Sequence, residues 1–339
     1  MKRTTLTLAI GVGISMLLLW GLARKIDTRQ LLAALQHLDW RYLLAAVGVT
    51  FFSYWLRAVR WRLLLLHERP LPLRSLYPAT IVGYMANNLF PARLGELVRA
   101  WMLADREQLK LPPVLASLVI DRFWDGLSVM IMLALVLLTL QLPPGMGKTA
   151  ALLRAGGITT LGVYLCALGF LVVLKMRPLM ALNWLARLVR PFPKRFEERL
   201  IPLAGAFLEG LRLRPDSGTL LPIVCCSALI WITAALPIDL VLLGFGVHLP
   251  LSASFFILVL LVFAVMLPAA PGYIGTYHLA CYTGLVAFRL PDAQAISIAV
   301  VIHGVGFFPI ILAGFFHLWA GGISLGRLRA GAVGNGATS

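Results

Sequence analysis

Polar residues interrupt an apolar stretch of this 339-residue chain at residues 85–99, MANNLFPARLGELVR. Pro91 has no backbone N–H, so we expect one helix to end there and another to begin near Ala92 or Arg93. A helix start carries partial positive charge and free N–H groups, and beside an arginine it favours an anion such as phosphate. The competing interpretation is a salt-bridge cluster that holds the segment together. The candidate ligands in this stretch are Asn87, Asn88, Arg93, Glu96 and Arg99.

A second break, residues 267–275 (LPAAPGYIG), lies nearer the C-terminus. Gly272 and Gly275 permit tight turning and a close approach of the backbone to a ligand. A helix would again begin here, with His278 one turn later, and these three residues are candidate ligands as well. The alternative is a Pro-Gly kink with a packing role, in which His278 is a hydrogen-bonded core residue.

Two carboxylates follow in the segment DRFWD, where Asp121 and Asp125 lie four residues apart and therefore share one helix face. Their spacing fits a proton or cation site. It fits equally well a pairing with Arg93 or Arg99. Both aspartates are therefore candidate site residues, with their role open between these two interpretations.

Three arginines close an apolar run in the segment RAVRWR. Arg57 lies one turn deeper than the others and is the better candidate for a phosphate ligand. We expect Arg60 and Arg62 to extend from a helix end to the membrane surface, as arginines at that position do. Other ionisable residues in apolar runs are Asp239, expected to face the interior, and His303 and His317, expected to pack in the core.

Residue patterns typical of enzymes are missing from the sequence. It contains no serine nucleophile elbow, no His-Glu-x-x-His zinc pair and no phosphatase-like cluster of Lys, Arg and His. The six histidines are not paired at a useful spacing. We therefore expect this protein not to be an enzyme, and we expect neither a metal nor a cofactor.

Membrane helices must position these residues. Hydrophobic residues make up 60% of the chain and charged residues 13%, whereas a soluble domain carries about a quarter charged residues. Repeated apolar runs of about 20 residues predict an all-α polytopic membrane protein, and their continuity excludes an outer-membrane barrel. The net charge of +16 comes from Lys and Arg at the ends of these runs. That position indicates anchoring to anionic lipid rather than binding to nucleic acid.

Six uninterrupted spans and two broken stretches are expected. The broken stretches, 76–101 and 251–288, are each predicted to form a re-entrant hairpin of two half-helices. The basic loop 175–217, predicted to form two amphipathic helices on the inner leaflet, is assigned to the cytoplasm. The hairpins then enter from opposite sides, as in an inverted repeat. The full spans are 4–23, 41–66, 115–141, 154–174, 218–244 and 293–320.

The chain is interpreted as one membrane domain, 1–339, in the inner membrane with both termini in the cytoplasm. Its first half holds the first hairpin, and its second half holds the other. The predicted parts are an N-terminal helix and linker (1–40), a first half (41–174), the cytoplasmic segment (175–217), a second half (218–320) and a flexible tail (321–339).

Four motifs resemble the lysylphosphatidylglycerol synthase transmembrane region, or flippase-like, family. The chain departs from the family at His278, where many relatives have an acid, and at Asp121, where Glu is common. The resemblance implies the flippase-like membrane unit, without the aminoacyl-transferase domain of the bifunctional members. In order over about 40–320, the motifs are Arg57-x-x-Arg60-Trp61, Asn88-Leu-Phe-Pro-Ala-Arg-Leu-Gly-Glu-x-x-Arg99, Asp121-Arg122-x-x-Asp125-Gly126 and Pro271-Gly-x-x-Gly275.

The expected function is movement of a lipid with a polar, phosphate-bearing headgroup between leaflets. Arg57, Arg93 and Arg99 would replace the water around the headgroup, and the acidic residues would hold or release these arginines. The lipid would be a phospholipid or a polyprenyl-phosphate-linked lipid. The alternative is a non-transporting accessory subunit that presents such a lipid to a partner synthase or glycosyltransferase. A lipid-modifying enzyme would need an activated nucleophile, which the sequence does not offer.

Overall fold

The computed structural model describes residues 38–65, 70–90, 94–139, 147–190, 217–266 and 270–323, with the separate positions 36, 198, 200–202, 204, 205 and 208. Every regular element in these ranges is helical. The elements are α1 (Trp40–Leu64), α2 (Leu73–Leu89), α3 (Gly95–Glu107), α4 (Leu111–Thr139), α5 (Gly147–Met176), α6 (Pro178–Val189), α7 (Ser217–Gly244), α8 (Leu251–Met266), a 3₁₀ turn (Pro271–Tyr273), α9 (Thr276–Ala287) and α10 (Asp292–Ala320).

The predicted all-α membrane class is confirmed. Within the described ranges, α1, α7 and α10 are long and apolar enough to cross a membrane. The spans predicted at 115–141 and 154–174 correspond to α4 and α5. The exact number of six spans stays a prediction. The predicted first span (4–23), Arg93, Pro268 and residues 324–339 of the predicted tail lie outside the described residues.

Helices α1 and α7 form an antiparallel pair along their whole length. At one end the Asp39 amide donates to the Gly244 carbonyl (3.0 Å). Further along, Ser53 Oγ donates to the carbonyl of Ile230 (3.4 Å). Asp39 also caps α1, since its carboxylate accepts from the amide of Arg41 (2.9 Å). The C-terminal ends of α1 and α7 therefore lie at opposite ends of the bundle.

The first broken stretch folds into two short antiparallel helices, α2 and α3. With 17 and 13 residues they extend about 26 and 20 Å, less than the roughly 30 Å of a hydrocarbon core. They pack with almost no space between them, since a Cβ on Gly83 would lie 2.8 Å from Cβ of Arg99 and one on Gly95 would collide with the Gly83 carbonyl. Helix α3 begins at Gly95, slightly later than the start expected near Ala92 or Arg93.

The second broken stretch contains α8, the 3₁₀ turn and α9. The turn requires positive φ angles at Gly272 (76°) and Gly275 (96°), which glycine adopts without steric penalty. Helix α9 packs closely on α8 at Gly284, where a Cβ would lie 3.1 Å from Cγ1 of Ile257. Both helices are short, with 16 and 12 residues, or about 24 and 18 Å.

The two broken stretches meet inside the bundle. Tyr273 OH donates to the carbonyl of Asn87 (3.3 Å), which joins the turn of the second stretch to the end of α2. The first stretch follows the C-terminal end of α1 and the second follows that of α7, so they approach from opposite ends of the bundle. The two oppositely oriented re-entrant hairpins, and the side of the membrane from which each enters, stay predictions.

The segment between α5 and α7 is described only in part. A helix, α6, forms over Pro178–Val189, where the first of two amphipathic helices was expected. Leu179 and Leu188 are highly exposed on it, whereas Leu182 packs with Leu208 against α4. Most of the second expected helix lies outside the described residues. Whether α6 lies on the inner leaflet stays a prediction.

Candidate functional site

Seven charged side chains from three helices come together between α1, α3 and α4. They form a group that we call the ion cluster: Arg57, Arg60, Glu96, Arg99, Asp121, Arg122 and Asp125. Of the predicted site residues, five belong to it: Arg57, Glu96, Arg99, Asp121 and Asp125. Arg60 and Arg122 were not among the predicted ligands, although both lie in the motifs that carry the family resemblance.

Arg60 is fully buried within the ion cluster, with no exposed surface. Its Nε donates to Asp121 Oδ1 (2.9 Å), its Nη2 to Asp125 Oδ1 (2.6 Å) and its Nη1 to Ser227 Oγ on α7 (3.2 Å). The expectation that Arg60 extends to the membrane surface is therefore wrong. The two aspartates, one turn apart on α4, give its guanidinium group better partners than the surface would. The same expectation for Arg62, which is half-buried, is left open.

Asp121 joins Arg60 to the first broken stretch. Its Oδ2 accepts from Arg99 Nη1 (3.1 Å), and both side chains are 1% exposed. The guanidinium carbon of Arg99 lies 4.0 Å from the ring centre of Trp61, and the Trp61 indole N–H donates to Ser117 Oγ (2.9 Å). Of the two interpretations of the aspartate pair, the structure contains the pairing with Arg99. Within the described residues, no group of three acidic, His or Cys side chains is arranged to hold a metal ion.

Tyr84 on α2 links the two outer arginines of the ion cluster. Its hydroxyl accepts from Arg57 Nη1 (3.0 Å) and from Arg122 Nη2 (3.0 Å). Asp125 lies next to both arginines, with Oδ2 3.4 Å from Arg57 Nη1 and 3.0 Å from Arg122 Nη1. Sequence reasoning missed Tyr84 because an aromatic residue in an apolar helix usually packs in the core. Its distance from the arginines in the sequence gives no signal of this contact.

Glu96 has the loosest contacts in the ion cluster. Its Oε1 lies 3.5 Å from Arg122 Nε, and its Oε2 has no hydrogen-bond partner within the described ranges. The Glu96 and Arg122 side chains are 29% and 39% exposed. In the described contacts Glu96 pairs with Arg122 and not with Arg99, which turns to the more deeply buried Asp121. Arg93 lies outside the described residues.

The ion cluster carries an excess of positive charge. Four guanidinium groups face three carboxylates, so one formal positive charge is left among its members. Guanidinium groups stay protonated and bind phosphate or carboxylate oxygens through paired N–H donors. The cluster can therefore accept an anion, and its buried arginines would hold that anion more strongly than surface arginines would.

Asn87 and Asn88, at the end of α2, were expected to be ligands, but the contact that the structure shows for Asn87 is with the backbone of α3. Asn87 Oδ1 accepts from the amide of Gly95 (2.9 Å), so its side chain holds the start of α3 against α2. A role for Asn87 as a ligand stays a prediction, and its observed partner is the protein itself. Asn88 is half-buried beside it.

The predicted residues of the second break form a separate group. The Gly272 carbonyl lies 2.8 Å from His303 Nε2, and the His303 and His278 rings lie 4.7 Å apart. The amide of Gly275 donates to His278 Nδ1 (3.4 Å). Within the described contacts, this group reaches the first broken stretch through Tyr273 and does not touch the ion cluster. His278, Gly272 and Gly275 thus remain predicted ligands at a second location.

Two other ionisable residues pack as the sequence suggested. Asp239 Oδ1 accepts from Ser254 Oγ (3.1 Å), a residue of α8 that is fully buried. The ring of His317 lies edge-on to Tyr77, with 5.9 Å between ring centres. Both therefore contribute to packing between helices and not to the ion cluster.

Comparison with known proteins identifies the relatives of this chain. It is 27% identical over 328 residues to a protein named glycosyltransferase AglD from Haloferax volcanii, across 88% of this chain and 52% of AglD. The chain therefore spans about half the length of that relative. It is also 25% identical over 331 residues to a UPF0104 membrane protein from Methanothermobacter thermautotrophicus, across 91% of this chain and 93% of the relative.

A second UPF0104 membrane protein from the same organism is 25% identical over 255 residues, across 71% of this chain and 74% of the relative. The family model described as the lysylphosphatidylglycerol synthase transmembrane region matches residues 8–314. This match includes the ion cluster and both broken stretches. The chain belongs to the lysylphosphatidylglycerol synthase transmembrane-region family.

Proposed function

We propose that this protein moves a lipid with a phosphate-bearing headgroup between the two leaflets of the membrane. The observation that carries the proposal is the position of the ion cluster. It lies inside a helix bundle, at the first of two broken stretches that approach each other from opposite ends. Broken helices with polar residues at membrane depth are typical of transporter substrate sites.

The burial of the ion cluster among apolar helices supports this function. Asp121 lies ten residues from the start of α4, or about 15 Å along its axis, whereas Arg60 lies four residues from the end of α1, or about 6 Å. The cluster is therefore inside the helical bundle and nearer to one end of α1. Ionised side chains within membrane helices are unfavourable, and in membrane proteins they mark pathways for ions or polar substrates. A headgroup that crosses the bilayer needs such polar partners on its way.

The same side chains suggest how the headgroup is held. Arginine N–H groups would replace the water around a phosphate, while the acyl chains stay in the bilayer beside the bundle. The aspartates keep the arginines in position when no headgroup is bound. Movement of the two broken stretches, which touch at Tyr273 and Asn87, would open the cluster first to one leaflet and then to the other.

We further propose an inner-membrane location with both termini in the cytoplasm. Two features of the sequence support this orientation. Lys and Arg cluster in the segment 175–217, and the loop 245–250 contains no ionisable residue other than His248. The first broken stretch would then open toward the cytoplasm and the second toward the outside.

Reconstitution tests the transport proposal. The purified full chain is placed in liposomes that contain traces of fluorescently labelled phosphatidylglycerol, phosphatidylcholine or polyprenyl phosphate, and the rate of exchange between leaflets is measured. We expect faster exchange for at least one of these lipids and a loss of about tenfold or more in Arg99→Gln. Arg106→Gln, an exposed position on the same helix, is the matched control and should keep the original rate. Rates equal to those of empty liposomes for every lipid would overturn the proposal.

A second candidate function is that of an accessory subunit which presents a phosphate-linked lipid to a separate glycosyltransferase. The observation in its favour is that the protein named glycosyltransferase AglD is about twice as long as the part matched by this chain. This candidate expects co-purification with an enzyme, and it expects Arg99→Gln to reduce the activity of that enzyme while lipid exchange stays at the background rate.

A further inference from the structure

We propose that one edge of the Arg99 guanidinium group is the seat for a single phosphodiester group, and that Glu96 is an internal carboxylate which this group displaces from Arg122. The inference rests on the proposed lipid transport and names the chemical class of the transported headgroup. It concerns three residues of α3 and α4 in the ion cluster.

The seat is the edge of Arg99 formed by Nε and Nη2. Arg60 uses the same edge of its own guanidinium group to bind Asp121 Oδ1, at 2.9 and 2.8 Å. In Arg99, by contrast, only Nη1 has a partner, and within the described residues Nε and Nη2 have none although the side chain is 1% exposed. Two parallel N–H donors of this kind fit the paired oxygens of phosphate or carboxylate.

The surroundings of Arg99 keep this edge in place. The indole ring of Trp61 covers one face of the guanidinium group at 4.0 Å and is itself held by Ser117. Gly83 lies directly against the base of the Arg99 side chain, where even a Cβ would be 2.8 Å away. With one face covered and Nη1 bound to Asp121, Nε and Nη2 are the donors of Arg99 that remain for a ligand. The donors are therefore oriented before the ligand arrives.

The charge of the ion cluster selects the headgroup. Glu96 gives up its contact with Arg122 but stays on α3 beside the cluster, so four arginines still face three carboxylates, and one additional negative charge makes the whole neutral. A phosphodiester carries one negative charge, whereas a phosphate monoester carries close to two near neutral pH. Inside a low-dielectric bundle the neutral combination is favoured over one with surplus negative charge.

Glu96 is the carboxylate that an incoming phosphodiester can replace most easily. Its contact with Arg122, at 3.5 Å, is the longest ion pair among the described members of the cluster, and Oε2 has no partner there. Arg122 Nε, which faces Glu96, also lacks a hydrogen bond within the described ranges. Glu96 and Arg99 lie three residues apart on one face of α3, so a group bound to the free edge of Arg99 would also be close to Arg122.

Ligand binding to the full chain in detergent tests this inference separately from transport. The probes are dihexanoyl phosphatidylglycerol, dihexanoyl phosphatidylcholine, dihexanoyl phosphatidic acid and inorganic phosphate, each titrated by calorimetry. We expect phosphatidylglycerol to bind more tightly than phosphatidic acid and at least tenfold more tightly than inorganic phosphate. Phosphatidylcholine, which adds a cation to the same phosphodiester, should bind in the same seat and respond to the same variants.

The variants address the two roles. Arg99→Lys keeps the charge but removes the paired donors, and it should weaken phosphatidylglycerol binding by about tenfold or more. Glu96→Gln removes the internal competitor and should strengthen binding several-fold. Arg106→Lys and Glu107→Gln are matched controls beyond the cluster on α3 and should leave the affinity unchanged. If Arg99→Lys does not fold, as judged by size exclusion and thermal unfolding, Glu96→Gln alone decides between a displaced and a retained carboxylate.

The outcomes separate the seat from the function. Binding with the expected response to both variants, but without lipid exchange in liposomes, would sustain the seat and refute transport. Lipid exchange with binding that neither Arg99→Lys nor Glu96→Gln alters would refute the seat and sustain transport. Inorganic phosphate that binds as tightly as the lipid would show a free-phosphate site and would refute the lipid assignment. Weaker binding in Glu96→Gln would refute displacement.

Discussion

A deeply buried ion pair and the most exposed ion pair of the cluster should differ greatly in strength, and two double-mutant cycles measure the difference. The first cycle combines Asp121→Asn with Arg99→Gln, whose side chains are 1% exposed and whose charged atoms lie 3.1 Å apart. The second combines Glu96→Gln with Arg122→Gln, whose side chains are 29% and 39% exposed and whose charged atoms lie 3.5 Å apart. Both cycles remove charge with small changes in side-chain volume.

The expected magnitudes follow from burial. Removing one partner of a buried ion pair leaves the other charge without compensation, so Asp121→Asn should lower the free energy of unfolding by about 3–5 kcal/mol. Arg60 keeps Asp125 as a partner, which limits the loss at that arginine. Because Asp121 and Arg99 contact each other directly, their coupling energy should be about 2–3 kcal/mol. For Glu96 and Arg122, whose side chains are partly exposed, the coupling should be about 0–1 kcal/mol.

Reversible unfolding of the purified protein in mixed detergent micelles, followed by loss of helicity, supplies the free energies for both cycles. Two results would refute the reasoning. One is a coupling energy below about 0.5 kcal/mol between Asp121 and Arg99, which would mean that water screens this pair as it does a surface pair. The other is an equal coupling in the two cycles, which would mean that burial does not set the strength of ion pairs in this bundle.

Three further predictions concern the helix contacts and the orientation in the membrane. Gly95→Ala should lower the free energy of unfolding by about 1–3 kcal/mol because its Cβ would collide with α2. Gly48→Ala is the control, since the space around Gly48 is open, and it should be neutral or stabilising by up to about 1 kcal/mol. Equal effects of the two substitutions in the micelle assay would contradict this reasoning. Tyr273→Phe removes the hydroxyl that donates to the Asn87 carbonyl and should lower the free energy of unfolding by about 0.5–1.5 kcal/mol. An unchanged free energy of unfolding would show that this hydrogen bond contributes nothing to stability. Pro291→Cys, in a variant without the four native cysteines, should react with a membrane-impermeant maleimide added outside the cell, and labelling only after permeabilisation would reverse the proposed topology.

The helices and their breaks could be predicted because they depend on local sequence. Long apolar runs predict membrane helices wherever the chain is placed, and Pro91 and Gly272 interrupt such runs for reasons contained in their own backbone chemistry. The structure has helices on both sides of each interruption. Both features were therefore visible before any tertiary contact was known.

The position of Arg60 could not be predicted in this way. An arginine near the end of an apolar run resembles an interfacial anchor, and only the contact with Asp121 and Asp125 on another helix shows that it is buried. Its place in the family-like motif was the one signal that could have identified it. Asn87 shows the opposite case, since a polar residue in a broken helix suggested a ligand, while its side chain holds the amide of Gly95.

The incomplete hydrogen bonding of the ion cluster argues for a role beyond stability. A network of buried charges is seldom more stabilising than apolar side chains of the same size, so stability alone is a weak reason for seven charges inside a membrane bundle. A purely structural staple would also bond all of its donors, as Arg60 bonds each of its three nitrogens. Arg99 is equally buried, yet Nε and Nη2 have no partner within the described residues. Because buried donors without acceptors are destabilising, the unpaired Nε and Nη2 of Arg99 support the proposal that an anionic group binds there.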